Sequence, residues 1–168
     1  ALQAQDLAQS MRAIGLRTQD CTYSDVEHAM NAWEIIRTRT MRGTLHAVAA
    51  SDARRMTKFL APRVLAKSTA RAKELELDED IFAECRELFS KALVWWKQFT
   101  RNEMKEVLED AKILSTEQHG YHILRRLAQE WLICMWPIKE KEQAFVLVDE
   151  RITDKKFLKW DEALAELT

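Results

Sequence analysis

Glycine and proline are scarce in this chain, with 3 and 2 among 168 residues. That leaves little material for tight turns, so a turn-rich β-sandwich is excluded and long helices are expected. The longest apolar stretches are short, such as Ala92-Leu93-Val94-Trp95-Trp96, and none is long enough to span a bilayer. No signal-peptide pattern opens the sequence. The three cysteines, Cys21, Cys85 and Cys134, are odd in number and widely spaced, which points to reduced thiols in a cytoplasm. Ser-His-Asp spacing, a P-loop and a dinucleotide fingerprint are also missing. His119, His122 and Cys134 are zinc-ligand types, but no CxxC or HExxH accompanies them, so neither metal nor cofactor is expected. The first residue is Ala1, and the opening reads like the interior of a longer protein.

Apolar residues make up 47% and charged residues 32%, an ordinary globular mix with room for one large domain or two small ones. The net charge of −1 conceals an asymmetry. Between Arg37 and Lys73 stand ten basic residues and one acid, Asp52, giving +9 and leaving the rest at −10. Solvated helix faces usually mix both signs. A block of one sign is the electrostatic footprint of a polyanion binder.

Leu2-Gln3-Ala4-Gln5 alternates like a short strand. Asp6 and Gln9 then look like a helix start, with Leu7, Met11 and Ile14 turned inward and an end near Gly15. Ser24 and Glu27 form a second start, for a helix burying Val26, Met30 and Trp33. Ile35–Thr40 and Thr44–Ala49 read as a hairpin around Met41-Arg42-Gly43. Ser51–Leu60 is helical, and Pro62 suits the first turn of a separate helix running to about Leu75. Further helices start at Asp78, at the Thr100–Glu103 capping box and at Ser115–Gln118. A second hairpin pairs Leu132–Trp136 with Ala144–Val148 around 139–142, and a short helix is expected at Trp160–Leu167. Of the neighbours Trp95 and Trp96, one is expected in the core and the other half-buried.

The order helix, helix, hairpin occurs twice. The fold class is therefore mainly α with small β-hairpins, built as tandem winged-helix-turn-helix units. Residues 1–50 form a partial first unit, 51–77 a helical linker, 78–150 the second unit and 151–168 a tail leading to a missing third. In a winged helix, the helix before the hairpin usually enters the major groove. Here that helix carries Ile123, Leu124, Leu127 and Trp131 on its apolar face. The other face carries Gln118, His119, His122, Arg125 and Gln129, types suited to phosphates and base edges. Arg37, Arg39, Arg42 and Arg63 of the basic block join them as DNA-contact candidates. In the second strand of the first hairpin, Thr44 and His46 share a face and are candidates too, although His46 could simply bond within the hairpin. From pattern alone the chain is a winged-helix protein that binds double-stranded DNA. A transcriptional regulator without catalysis and a protein-interaction module both remain open.

Three segments carry a resemblance: Leu2-Gln3-Ala4-Gln5-Asp6, Ile36-Arg37-Thr38-Arg39-Thr40-Met41-Arg42-Gly43-Thr44-Leu45-His46 and Leu60-Ala61-Pro62-Arg63. Together they resemble the AlkZ/YcaQ-like winged-helix DNA glycosylases. The likeness extends through Phe145-Val146-Leu147-Val148-Asp149-Glu150 and Asp161-Glu162-Ala163-Leu164. It implies three winged helices around a concave DNA surface and hydrolysis of the N-glycosidic bond of alkylated purines, with crosslinks among some members' substrates. It also implies a bacterial cytoplasmic protein, nucleoid-associated when bound. The family's Gln-apolar-Gln motif matches Gln3-Ala4-Gln5, so the resemblance assigns catalysis to Gln3 and Gln5. The family's first helix and third winged helix are missing from this sequence, so a fragment is expected. On a helix, residues two apart point about 200° away from each other; on a strand they share a face. An extended Leu2–Gln5 with both amides toward a cavity is therefore expected.

Overall fold

The structure, a computed structural model, describes residues 1–113, 116–139 and 142–152. The expected cap Ser115, part of the second hairpin's turn and the expected Trp160–Leu167 helix lie outside them. A two-residue strand, β1 (Leu2–Gln3), leads into α1 (Leu7–Gly15) and α2 (Tyr23–Asn31). The strands β2 (Ile35–Arg39) and β3 (Leu45–Ala49) form the first hairpin around a 3-10 turn at Met41–Gly43. The long helix α3 (Ala50–Glu74) is followed by α4 (Glu79–Ala92), the short strand β4 (Phe99–Thr100), α5 (Arg101–Asp110) and α6 (Glu117–Gln129). The second hairpin, β5 (Ile133–Lys139) and β6 (Glu142–Leu147), and the single turn α7 (Val148–Arg151) complete the described chain.

Local chemistry starts most of these helices where expected. Asp6 accepts the Gln9 amide, Asp78 the Ile81 amide, and Thr100 with Glu103 forms a reciprocal capping box. Two caps differ from expectation. Thr22 rather than Ser24 caps α2, in a box with Asp25, and Thr116 rather than Ser115 caps α6. Another difference is Pro62, which does not begin a helix but lies inside α3. Proline there removes one i→i−4 bond. The helix continues because Ala53, Thr57, Ala61 and Val64 are buried on both sides of the proline.

The hairpins are not separate. All six strands form one antiparallel sheet in the order β1-β3-β2-β5-β6-β4, with Arg37 opposite Met135 at the seam. Strand alternation divides the core. Ile36, Val48, Cys134 and Val146 belong to one cluster with Ala53 and Trp131. Leu45, Ile133, Met135 and Phe145 belong to another with Phe82, Phe89, Leu108, Ile123 and Leu127. Met11, Val26 and Met30 make a third, smaller cluster between α1 and α2. Burial pushes the Cys85 and Cys134 thiols up to about 12, so both are packing groups. No described helix is long and apolar enough to cross a membrane.

Trp95 and Trp96 break the expected pattern, for both are exposed, Trp95 at 82%. Both have left-handed backbones, φ +64° each. Their backbone N–H groups donate to the two carboxylate oxygens of Glu150 at 2.9 Å, and Arg151 stacks on Trp96. That clamp holds a strained turn.

Candidate functional site

Gln3 and Gln5 are both exposed, and Gln3 Nε2 donates to Gln5 Oε1 at 3.3 Å. The two amides therefore meet. The extended stretch is shorter than expected: the strand ends at Gln3, and the chain bends at Gln5 before Asp6 caps α1. The contact consumes one donor of Gln3 and one acceptor of Gln5. Gln3 Oε1 and the Gln5 amide NH2 stay available.

Register places a polar row beside them. Gln3 lies opposite His46 on β3, and His46 lies opposite Thr38 on β2. Opposed residues of antiparallel strands share a face. His46 Nδ1 is 3.0 Å from the Thr44 carbonyl oxygen. A carbonyl can only accept, so Nδ1 carries the proton. Burial holds the His46 pKa below its ordinary value, with the Arg42 charge adding a smaller push. The ring is thus neutral at pH 7, with a lone pair on Nε2. Thr38 Oγ1 is buried without a partner. Thr44, which begins this face, bonds back to the Met41 carbonyl at 3.0 Å and closes the turn.

The basic block does not lie on one surface. Arg37 and Arg39, both expected to contact DNA, are 4% and 8% exposed. The Arg37 Nε donates to the Ala4 carbonyl and its Nη2 to the Gln5 carbonyl, 2.6 Å away. Burial, and then the like charge of Arg39, lower the Arg37 pKa to about 10. Arg39 Nη1 donates to the Gly43 carbonyl at 2.8 Å, and its guanidinium sits over the Tyr121 ring. Arg37 is thus tied to the segment after β1 and Arg39 to the hairpin turn, because β2 is a central strand of the sheet. Three others are paired with acids: Arg55 with Asp52 at 2.9 Å, Arg54 with Asp149 at 4.0 Å and Arg71, which also lines the basic grooves, with Glu74 at 2.7 Å.

The remaining cations gather elsewhere. A groove of about 780 Å³ between the Met41–Gly43 turn, α3 and α6 is lined by Arg42, Arg63, Lys67, Arg71, His122 and Arg125. A neighbouring groove of about 570 Å³ is lined by Arg71, Arg101, Lys105, Gln118, Tyr121 and His122. Arg71 and His122 belong to both, so the two grooves adjoin. Among the described residues, no aspartate or glutamate lines either. Burial and the charges of Arg125, Arg71 and His119 hold the His122 pKa below its ordinary value. Of the groove residues, Arg42, Arg63, Gln118, His122 and Arg125 are candidates the sequence shows, whereas Arg101 and Lys105 lie outside the basic block on an acid-containing helix, where no local pattern marks them.

Two residues of α6 are placed otherwise than expected. His119 Nε2 bonds the Leu75 carbonyl at 3.0 Å, and Nδ1 bonds the Thr116 hydroxyl. Both ring nitrogens are engaged, so His119 ties α6 to the end of α3. Gln129, expected on the polar face, is 2% exposed. It sits against the turn: a methyl group on Gly43 would come within 2.7 Å of Gln129 Nε2 and 2.6 Å of Arg125 Nη2. Gly43, at φ +73°, is therefore required both by its backbone and by the close approach of α6.

The family model described as DNA glycosylase AlkZ-like matches residues 1–168. Comparison with curated proteins finds no matching sequence. Among solved structures, the DNA glycosylase AlkZ of Streptomyces sahachiroi matches with a TM-score of 0.81 at 21% identity. The match covers 99% of this chain and 46% of that one. The chain thus shares the fold of that protein and spans about half of its length.

Proposed function

Because the chain belongs to the AlkZ-like DNA glycosylase family, we propose that it is a monofunctional DNA glycosylase that hydrolyses the N-glycosidic bond of N7-alkylated purines in duplex DNA, including crosslinked purines. Residues 1–50 are read as a partial first winged-helix unit and 78–150 as a second, joined by a helical linker at 51–77. The carrying observation is that the Gln3 and Gln5 amides meet on the solvent side of an edge strand, opposite His46.

Two glutamines suit one leaving-group class. Neither amide titrates, so neither is a strong base. A purine alkylated at N7 already carries positive charge. When the C1′–N9 bond breaks, its electron pair neutralises the departing base and leaves an oxocarbenium-like sugar. Water then bonds to C1′ and releases its proton. The enzyme mainly has to hold that water and stabilise developing positive charge, through orientation and fixed dipoles. Gln3 Oε1 is the acceptor free to do so. The basic grooves supply phosphate contacts through Arg42, Arg63 and Arg125, with Gln118 and His122 alongside. Arg42 lies in the Met41–Gly43 turn of the same hairpin that carries His46.

The test is release of N7-methylguanine from a duplex by the full chain and by its Gln3→Ala and Gln5→Ala variants. Each variant is expected to lose on the order of 100-fold in the chemical step while still binding DNA, the size associated with misplaced catalytic groups. Base release at the parental rate by both folded variants would remove the catalytic assignment. DNA binding with no base release by the parent would leave a DNA-binding protein of the regulator kind.

A further inference from the structure

We propose that Arg37 is a positioning residue of the Gln3–Gln5 site: by holding the carbonyls of Ala4 and Gln5 in one guanidinium fork, it fixes the bend that brings the two amides together. This rests on the glycosylase reading above and deepens it.

The strand carrying the motif has little else to hold it. Strand β1 is two residues long and lies at the sheet edge, with only Leu2 and Gln3 in register with β3 and one further bond from the Ala4 amide to the Leu45 carbonyl. Successive carbonyls of an extended chain point to opposite sides. One guanidinium reaching both the Ala4 and the Gln5 carbonyl therefore demands that the chain leave the strand there, which is where it bends. The bend lets the Gln5 side chain fold back onto Gln3. Only arginine offers two parallel donors in a rigid plane; lysine is a single point charge.

The fork also works from behind. Arg37 and Leu2 both lie opposite Ala47, so Arg37 shares the sheet face of Leu2, whereas Gln3 shares the opposite face with His46. Arg37 thus grips the backbone on one side of the sheet while the amides project from the other. A buried guanidinium so placed sets geometry and does not meet the substrate at the amides.

A phosphate contact and a positioning residue leave different kinetic marks. The experiment measures single-turnover release of N7-methylguanine, duplex Kd and the salt dependence of Kd for the full chain and for Arg37→Lys and Arg37→Gly, with a thermal melt of each. For Arg37→Lys, the expected result is a chemical rate lower by about 10- to 100-fold, with Kd and its salt slope unchanged. Added guanidinium ion is expected to restore the rate of Arg37→Gly and to do nothing for Arg37→Lys. A raised Kd with a salt slope smaller by about 0.9 and a parental rate would make Arg37 a phosphate contact and overturn the proposal. Parental values throughout would overturn it too, and so would loss of cooperative melting in both variants, which would make Arg37 a folding residue. Gln3→Ala and Gln5→Ala run in the same series separate the two levels. If they release base normally, the catalytic assignment of the two glutamines fails whatever Arg37 does. If they are slow while Arg37→Lys is fast, only the Arg37 proposal fails.

Discussion

Between β2 and β3 the protein buries Arg37, Thr38, Arg39, Thr40 and His46; between β5 and β6 it buries Ile133, Cys134, Met135, Phe145 and Val146. The two hairpins share one sheet and the same antiparallel pairing, so geometry alone does not explain the contrast. Burying a cation or a hydroxyl costs free energy unless it finds partners. Arg37 and Arg39 find backbone carbonyls and a tyrosine ring, while the hydroxyls of Thr38 and Thr40 find nothing. The second hairpin carries no such cost in the strand residues compared and fills its faces with apolar groups. The first hairpin carries these polar groups beside its own buried Ile36, Leu45, Ala47 and Val48, at a cost in stability. The second is an apolar wall of the core.

The strongest way to break this comparison is to empty the wall. Phe145 is 2% exposed and packs in the largest core cluster. Phe145→Ala is expected to destabilise by about 3–5 kcal/mol, measured by urea unfolding, as large-to-small core changes do. Base release per folded molecule is expected to hold. A selective loss of rate at unchanged stability would show that the second hairpin also carries the chemistry.

A smaller effect should come from the groove beside the first hairpin. Burial, and then the neighbouring cations, disfavour charged His122, so its folded pKa lies below 6.5. In the free protein this group opposes folding as pH falls below 6.5, because the unfolded chain then binds the proton more readily. A bound phosphate is expected to reverse the preference, so DNA binding is expected to take up a proton. Affinity at fixed salt is therefore expected to tighten as pH drops through 6.5, by up to about tenfold per pH unit for one proton. Titrations from pH 8 downward test this, and His122→Ala should remove the pH effect. A pH-independent Kd in the parent would take His122 out of the interface.

The smallest effect concerns an orphaned hydroxyl. Thr38→Val removes a buried Oγ1 that has no partner, so it is expected to raise stability by about 1 kcal/mol. Thr38 shares the row of His46 and Gln3. If that hydroxyl is kept for the reaction, the same variant should release base more slowly while melting at a higher temperature. A more stable variant with parental rate would make the orphan a structural accident.

The caps at Asp6, Asp78 and Thr100, the first hairpin with its Met41–Gly43 turn and the short strand at Leu2–Gln3 were legible in the sequence. Each depends on residues within a few positions of one another: a side chain reaching an amide three residues on, alternation along a strand, a glycine at positive φ. The Gln-apolar-Gln motif was also visible there, though its chemistry came from family resemblance rather than from spacing. The cap at Thr22 was missed because Thr22-Asp25 and Ser24-Glu27 are both plausible starts, and propensity alone does not choose between them.

Tertiary structure decided the rest. It ran α3 through Pro62 on the strength of buried neighbours, and it fused two hairpins into one sheet at Arg37 and Met135. It also divided the basic block, sending Arg37 and Arg39 inward and leaving Arg42 and Arg63 at the groove. His119 was drawn to a carbonyl 44 positions away, and Arg37 to carbonyls 32 and 33 positions away. An arginine's charge is written in the sequence, but whether that charge faces a phosphate or a backbone carbonyl depends on which distant segment packs beside it, and no local pattern encodes that distance.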